Sequence, residues 1–179
     1  MPREVFRGHI VIVKTIAVLS KALSYLSSCQ IVGFDTETRP NFSKDTHYKM
    51  SLIQLSSDNT CFLIRLNYFK KIPRILESFL KNKNVVKIGL SLRDDFNGLQ
   101  SLTKISPNNF IDLQQYVRQF GIEEMSLQKI YAILFGKRIS KSKQRSNWEA
   151  PMLTEPQKRY AALDAWACLH IYQFLEQSK

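Results

Sequence analysis

Short apolar runs alternate along the chain with segments whose apolar residues recur every three or four positions. The runs predict β-strands over residues 9–13, 31–37, 50–56, 60–65, 84–90 and 109–112. The helical spacing predicts helices over about residues 16–27, 69–80, 91–102, 113–120, 127–135 and 155–176. The first eight residues follow neither pattern, and we expect them to be loosely held. Strands that alternate with helices in this way predict an α/β fold.

Turn and capping residues separate these elements. Ser57-Asp58-Asn59 lies between two of the strands and predicts a hairpin beside strand 31–37. Thr154 and Gln157 form the sequence pattern of a capping box at the start of the last helix. The sequence contains no internal repeat and no visible domain boundary. We therefore expect a single domain over residues 1–179.

The charge of the chain favours a polyanionic partner. Its 26 basic and 15 acidic residues give a formal net charge of +11 at pH 7. A balance of this sign favours nucleic acid as the partner, although a basic surface can also serve solubility alone.

The chain also lacks the marks of membrane and secreted proteins. No apolar run approaches the roughly 18 residues of a membrane span, and no signal peptide is visible, so we expect no membrane contact. Cys29, Cys61 and Cys168 are odd in number and widely spaced. This spacing favours a cytoplasmic location over a disulfide scaffold or a thiolate zinc site.

The stretch Ile31-Val32-Gly33-Phe34-Asp35-Thr36-Glu37 ends an apolar strand in two acids. Residues two apart in a strand face the same side, so Asp35 and Glu37 should stand next to each other. Two adjacent carboxylates repel each other unless a cation lies between them. The alternative is a strand that simply ends in a polar loop.

Two further acids have unusual positions. Asp164 falls within the apolar stripe of the last helix, one turn after Tyr160, where a carboxylate must be paired, protonated or bound to a cation. A hydrogen-bonded core aspartate is the alternative. Asp95 follows the strand over residues 84–90, so all four acids can meet at one end of the sheet. Oxygen ligands without cysteine or histidine suit Mg²⁺ or Mn²⁺, and a pair of such ions can drive phosphodiester cleavage.

Residues 136–147 form a strongly basic segment that we expect to be a mobile loop. Lys141, Lys143 and Arg145 lie within it, separated by serines and a glutamine. Side chains of this kind bind the phosphate backbone of nucleic acids. The alternative is a solvated linker.

Three segments together resemble the motifs of the DEDD 3′-to-5′ exonucleases. They are Phe34-Asp35-Thr36-Glu37-Thr38, Lys87 to Asp95, and Tyr160-Ala161-Ala162-Leu163-Asp164. The tyrosine of the third segment marks the DEDDy branch. Ser146-Asn147-Trp148-Glu149 and the stretch from Pro151 to Trp166 are similar to Werner-type exonuclease domains and to ribonuclease D. The resemblance covers about residues 29–177.

The resemblance implies a ribonuclease H-like fold, with a mixed five-stranded sheet and helices on both faces. It implies a 3′-5′ exonuclease that uses two divalent cations and releases nucleoside 5′-monophosphates. By position, Asp35, Glu37 and Asp164 would bind the first cation, and Asp35 with Asp95 the second. Tyr160 would orient the attacking water, because a phenol is a poor base at neutral pH.

The resemblance also implies residues around the terminal nucleotide. Phe34, Thr36, Thr38 and Leu92 are expected to shape its pocket. The substrate is expected to be nucleic acid with a 3′ end, DNA more than RNA, because the segment before the last helix is similar to the Werner type. Asp94 precedes Asp95, so the second-motif acid could be either residue.

Two other functions remain open from the sequence. One is a catalytically silent nucleic-acid-binding domain on the same fold, although such a domain has no need of four buried carboxylates. The other is a nuclease with the same acids that cuts within a strand.

Overall fold

The computed structural model describes residues 1–179 and contains six strands and six α-helices. The strands are β1 (His9–Val13), β2 (Ile31–Thr38), β3 (Met50–Ser56), β4 (Thr60–Arg65), β5 (Val86–Gly89) and β6 (Phe110–Asp112). The helices are α1 (Ile16–Ser27), α2 (Arg74–Lys81), α3 (Leu92–Gln100), α4 (Leu113–Tyr116), α5 (Leu127–Phe135) and α6 (Glu155–Gln177). Two 3₁₀ turns occupy Leu66–Tyr68 and Val117–Phe120.

All six strands form one mixed sheet in the order β1-β4-β3-β2-β5-β6. Strand β3 is antiparallel to both of its neighbours, whereas β1, β5 and β6 pair in parallel with theirs. The predicted α/β class, the mixed sheet and the hairpin of β3 and β4 are confirmed. The sheet has one strand more than the five that the family resemblance implied, and the six apolar runs of the sequence correspond to its six strands.

Helices cover both faces of the sheet, as the resemblance implied. Helix α6 packs on one face and, with α5, buries one apolar core. Helices α1 and α2 pack together on the other face and bury a second core. With 23 residues α6 is the longest helix, but neither it nor any other helix combines the length and the apolar character needed to cross a membrane.

Helix α2 begins five residues later than the sequence pattern predicts. It starts at Arg74, directly after Pro73, whose backbone is extended with ψ 141°. Proline disfavours helical geometry at the residue that precedes it, so Ile72 stays outside the helix. Ile72 is nevertheless buried, which explains why the apolar spacing continued across the true helix start.

The N-terminal segment is firmly packed, so the expectation of loose residues there is wrong. Glu4 and Phe6 are 4% and 3% exposed. The Tyr131 hydroxyl donates to Glu4 Oε2 at 2.7 Å, and Arg7 and Lys137 form ion pairs with the same carboxylate. Arg7 is a local partner, but Tyr131 and Lys137 lie far from Glu4 in the sequence, so no local pattern could predict this packing.

Candidate active site

Strand β2 and helix α6 bring three acids together. Asp35 and Glu37 face the same side of β2, as the strand alternation predicts. Asp164 reaches them from α6, which packs over that face. One ligand oxygen from each of the three carboxyl groups lies within 4.8 Å of the others. The structure therefore brings together three of the four acids singled out in the sequence as potential ligands of one cation.

Gly33 allows this close approach of helix and strand. A Cβ atom at this position would lie 2.0 Å from the carbonyl oxygen of Ala165, the residue after Asp164. Any side chain here would therefore push α6 away from β2. The glycine sets the distance between the two elements that carry the acids.

Gln54 links the acid cluster to both neighbouring elements. It lies opposite Asp35 in the pairing of β2 with β3. Its amide nitrogen donates to Glu37 Oε1 at 3.3 Å and to the carbonyl oxygen of Ala161 in α6 at 3.2 Å. Sequence analysis missed this residue. Its only local signal is a long polar side chain within a strand that is otherwise apolar except for Ser51 and Ser56.

Asp95 lies beside the three acids but is not one of the group. The Thr36 hydroxyl donates to Asp95 Oδ1, which joins α3 to β2. Asp94, in contrast, is exposed and accepts a hydrogen bond from the Ser91 hydroxyl at 3.2 Å. Of the two candidates for the second-motif acid, the structure therefore directs Asp95 toward the site and Asp94 away from it.

A further carboxylate, missed in the sequence, fixes the start of α3. Asp112, at the end of β6, accepts the backbone N–H groups of Ser91 at 3.1 Å and Leu92 at 3.0 Å. Ser91 has a left-handed backbone with φ 56°. The two hydrogen bonds stabilise this turn and so hold Asp95 against β2.

Burial raises the pKa values of all four acids, and repulsion by neighbouring carboxylates raises those of Asp35, Glu37 and Asp95 further. Burial raises the pKa of Asp164 to about 7. Burial and the nearby Asp35 raise the pKa of Asp95 to about 8. Burial, followed by neighbouring carboxylates, also raises the pKa values of Asp35 and Glu37. The cluster therefore gains stability from whatever neutralises it, a proton or a cation.

The donor set of the cluster fits a hard divalent cation. Asp164 Oδ1 is buried and has no hydrogen-bond partner in the protein. An unpartnered buried oxygen is costly in free energy, by roughly 1–3 kcal/mol, unless a ligand completes it. Carboxylate oxygens from Asp35, Glu37 and Asp164, without nitrogen or sulfur, are a typical set for such an ion.

Tyr160 lies one helical turn before Asp164 and is 9% exposed. Its ring packs against the fully buried Trp148, with ring centres 6.0 Å apart. Burial, then the charges of Asp164 and Glu37, raise the pKa of its phenol. The hydroxyl therefore stays protonated near neutral pH and can donate a hydrogen bond but cannot serve as a base.

Arg65 holds the segment that carries Trp148. This buried guanidinium, at the end of β4, donates to the carbonyl oxygens of Trp148 at 3.3 Å, Ala150 at 2.6 Å and Pro151 at 3.2 Å. The capping box that follows is formed as predicted, with Thr154 and Gln157 bonded in both directions. Together these contacts fix the start of α6 and hence the position of Tyr160.

The acids lie at the base of an open cleft of about 270 Å³. Thr36, Tyr160, Lys141 and Gln144 also line it. Of the three basic residues singled out in the sequence, Lys141, Lys143 and Arg145, only Lys141 lines the acid cleft. The side chains of Lys143 and Arg145 line two other clefts.

The expected nucleotide-pocket residues are divided between cleft and core. Phe34 is 1% exposed and packs edge-to-face on Phe110. Leu92 is 4% exposed and packs against the backbone of Gly89. Both are apolar side chains of the core on the face away from α6, so they do not line the cleft. Thr36 lines it, and Thr38 is exposed at the end of β2.

The raised pKa values predict how a cation changes stability with pH. The folded protein keeps protons on these carboxyls that the unfolded chain releases near about pH 4. Their stabilising contribution is therefore complete below about pH 4 and is lost as the pH rises through the folded values of about 7 for Asp164 and about 8 for Asp95. We expect Tm in EDTA to fall between about pH 5 and 8, and the increase in Tm on adding Mn²⁺ to grow over the same interval. A metal-induced increase that does not change with pH would contradict this.

Comparison with known proteins agrees with this geometry. The sequence model of the 3′-5′ exonuclease family matches residues 10–178. The chain is 33% identical over 155 residues to the bifunctional 3′-5′ exonuclease/ATP-dependent helicase WRN of Mus musculus, a match that covers 84% of this chain and 11% of that protein. It is 28% identical over 191 residues to a 3′-5′ exonuclease of Arabidopsis thaliana, which covers 98% of this chain and 66% of the relative.

Solved structures have the same fold. The EXO domain of Aedes aegypti Nibbler superposes with a TM-score of 0.85 at 25% identity, over 97% of this chain and 91% of that one. Escherichia coli RNase D superposes with a TM-score of 0.82 at 22% identity, over 99% of this chain and 45% of that one.

The chain thus corresponds to part of the longer curated relatives, from 11% of the mouse protein to 66% of the plant one. The family match, by contrast, extends over nearly all of its 179 residues. The chain is a 3′-5′ exonuclease domain and belongs to that family of enzymes.

Proposed function

We propose that this chain hydrolyses the terminal phosphodiester bond at the 3′ end of a nucleic acid and releases nucleoside 5′-monophosphates. The observation that carries the proposal is the meeting of Asp35, Glu37 and Asp164 around the unpartnered Asp164 Oδ1, at the base of an open cleft. The net charge of +11 supports a polyanionic substrate.

Two divalent cations, Mg²⁺ or Mn²⁺, are the proposed cofactors. Asp35, Glu37 and Asp164 would hold the first, and Asp35 with Asp95 the second. When bound, such a pair lowers the pKa of a water molecule and stabilises the leaving oxygen. Asp95 lies outside the three-acid group. We therefore assign Asp95 to the second cation, which it would bind directly or through a water molecule.

The remaining residues position substrate and water. The protonated hydroxyl of Tyr160 orients the attacking water, with Glu37 as a second hydrogen-bond partner of that water. Gln54 keeps Glu37 in place through its bond at 3.3 Å. Lys141 lines the same cleft and stabilises the charge of Asp164. An ammonium group there suits a phosphate oxygen of the substrate.

We propose DNA as the preferred substrate. The support is the 33% identity to mouse WRN and the Ser146-Asn147-Trp148-Glu149 segment. Two structural neighbours are described with RNA instead: E. coli RNase D is an exoribonuclease involved in structured RNA processing, and Trypanosoma brucei RNase D has been crystallised with RNA U12.

A digestion panel of matched DNA and RNA tests this proposal. Both strands carry the label at the 5′ end and are incubated with Mg²⁺, Mn²⁺ or EDTA. We expect a ladder that shortens from the 3′ end with either cation, faster on DNA, and no products in EDTA. No ladder with any cation would favour a silent binding domain. Cleavage of a circular single strand would indicate internal cutting, and faster digestion of RNA would overturn the preference for DNA.

A further inference from the structure

The loop between β2 and β3 forms a second cleft next to the acid cluster. This cleft, of about 310 Å³, is lined by Arg39, Phe42 and Tyr48 from the loop and by Arg145 and Asn147 from the basic segment. We call it the arginine–aromatic cleft. Residues 38–49 lie between the predicted strands 31–37 and 50–56, and the sequence patterns gave Arg39, Phe42 and Tyr48 no role.

Cationic and aromatic side chains are paired within this cleft. The guanidinium of Arg39 lies 4.5 Å from the ring centre of Tyr48, and that of Arg145 lies 5.3 Å from the ring centre of Phe42. Neither arginine forms an ion pair in the structure, and no acidic residue lines the cleft. Both positive charges are therefore available to an anion.

Phe42 is an unusual residue to leave in solvent. It is 84% exposed in a loop that is otherwise polar. Its ring makes no aromatic pair within the protein, and its one ring contact of this kind is to Arg145. An exposed aromatic face beside a cation suits the π-face of a base.

Two chain segments connect the lining of this cleft to that of the candidate active site. Glu37 lines the acid cleft and Arg39, two residues on, lines this one. Gln144 lines the acid cleft and its neighbour Arg145 lines this one. The two clefts are therefore neighbours, and a strand with its 3′ end at the acids has the arginine–aromatic cleft close by for its upstream nucleotides.

A basic surface continues beyond the cleft. Tyr48 also lines a third cleft, of about 360 Å³, together with Lys49, Lys70 and Lys71. One acidic residue, Glu149, lines the same cleft. Because the two clefts share Tyr48, the three lysines add positive charge next to Arg39 and Arg145, where a phosphate backbone can contact it.

We propose that the arginine–aromatic cleft binds the single-stranded nucleic acid immediately upstream of the scissile bond. Bases stack on Phe42 and Tyr48, and Arg39 and Arg145 contact the phosphates between them. Stacking of this kind needs unpaired bases, so the cleft selects a single-stranded 3′ end over a fully paired one. This inference rests on the proposed function, because it takes the acid cluster as the place of the 3′ end.

Binding measured in EDTA tests the cleft without any hydrolysis. We expect Phe42→Ala to weaken binding of a labelled oligothymidylate about tenfold, and Phe42→Trp to restore it, because stacking is lost and regained. Met152→Ala is the matched control, since Met152 is also 84% exposed and lines none of these three clefts. Equal affinities of the Phe42→Ala variant and the control would overturn the proposal.

The salt dependence of binding tests the two arginines. A phosphate contact contributes about 0.7 to the slope of log affinity against log salt for a single strand. The double variant Arg39→Ala/Arg145→Ala should therefore lower the slope by about 1.4. An unchanged slope, or an equal loss of affinity for a blunt duplex and for a single strand, would overturn the proposal.

Substrate length separates this proposal from the proposed function. In Mg²⁺, Phe42→Ala should lower kcat/KM for an oligothymidylate about tenfold more than for the p-nitrophenyl ester of thymidine 5′-monophosphate, which has no nucleotide upstream of its scissile bond. An equal loss for the long and the short substrate would overturn the proposal for the cleft. If the unaltered protein hydrolyses neither substrate, the proposed function fails, while the binding measurements in EDTA still decide whether the cleft holds a single strand.

Discussion

Replacing Asp164 with asparagine should lower 3′-end hydrolysis by at least about 10³-fold while raising Tm in EDTA. Removing a residue that hydrogen-bonds a metal ligand lowers metal affinity or activity by about 10–100-fold. Loss of a direct ligand should lower the activity further. Asparagine keeps the shape of the side chain but carries no charge. Burial raises the pKa of Asp164 to about 7, so the neutral amide avoids the penalty that the buried carboxylate incurs.

Asp94→Asn is the matched control for this variant. Asp94 is an exposed acid bonded only to Ser91 and directed away from the cluster. Its removal should change neither hydrolysis nor the response of Tm to Mn²⁺. The comparison uses initial rates on an end-labelled strand and thermal melts with and without cation. Hydrolysis by Asp164→Asn within about tenfold of the unaltered protein would contradict the assignment of Asp164 as a ligand.

Gly33→Ala should lower both the stability and the hydrolytic activity of the protein, although Gly33 is not itself one of the acids of the site. The new Cβ would lie 2.0 Å from the Ala165 carbonyl oxygen, where ordinary contact begins near 3.4 Å. Because that oxygen belongs to the backbone, α6 must move by more than an ångström and carry Asp164 with it. Overpacking of this kind costs about 1–3 kcal/mol, and a displacement of about 1 Å at a reacting site can lower the rate about 10²-fold.

Gly98→Ala provides the contrast. A Cβ there would meet only the flexible end of Met50, at 3.0 Å, within helix α3. Alanine is favoured over glycine in a helix by up to about 1 kcal/mol, so this variant should be as stable as the unaltered protein or more so. The test compares the Tm and the initial rate of hydrolysis of Gly33→Ala and Gly98→Ala with those of the unaltered protein. Unchanged stability and activity in Gly33→Ala would show that the approach of α6 to β2 is not limiting.

The sequence predicted those features that depend on local patterns or on known motifs. The alternation within β2 placed Asp35 and Glu37 on one face, and the helical stripe placed Asp164 and Tyr160 together. The capping box at Thr154 was visible for the same reason, because its partners lie three residues apart. The α/β class and the family resemblance followed from these elements and their order.

Features that depend on distant partners were not predictable in this way. Gln54 is only one of several polar residues in β3 until the pairing with β2 places it opposite Asp35, where its amide can donate to Glu37. The carboxylate of Glu4 likewise contacts the distant Tyr131 and Lys137, which its own sequence neighbourhood does not reveal. The contact of the exposed Phe42 ring with Arg145 is likewise a property of the folded chain, since about one hundred residues separate the two in the sequence.

The central claim is that Asp35, Glu37 and Asp164 share a divalent cation. Anomalous diffraction from crystals soaked in Mn²⁺ tests it directly, at a concentration that supports hydrolysis. We predict a manganese peak within about 2.5 Å of a carboxylate oxygen from each of the three residues, and loss of that peak in Asp164→Asn. No peak among the three, or a peak bound only elsewhere, would contradict the account.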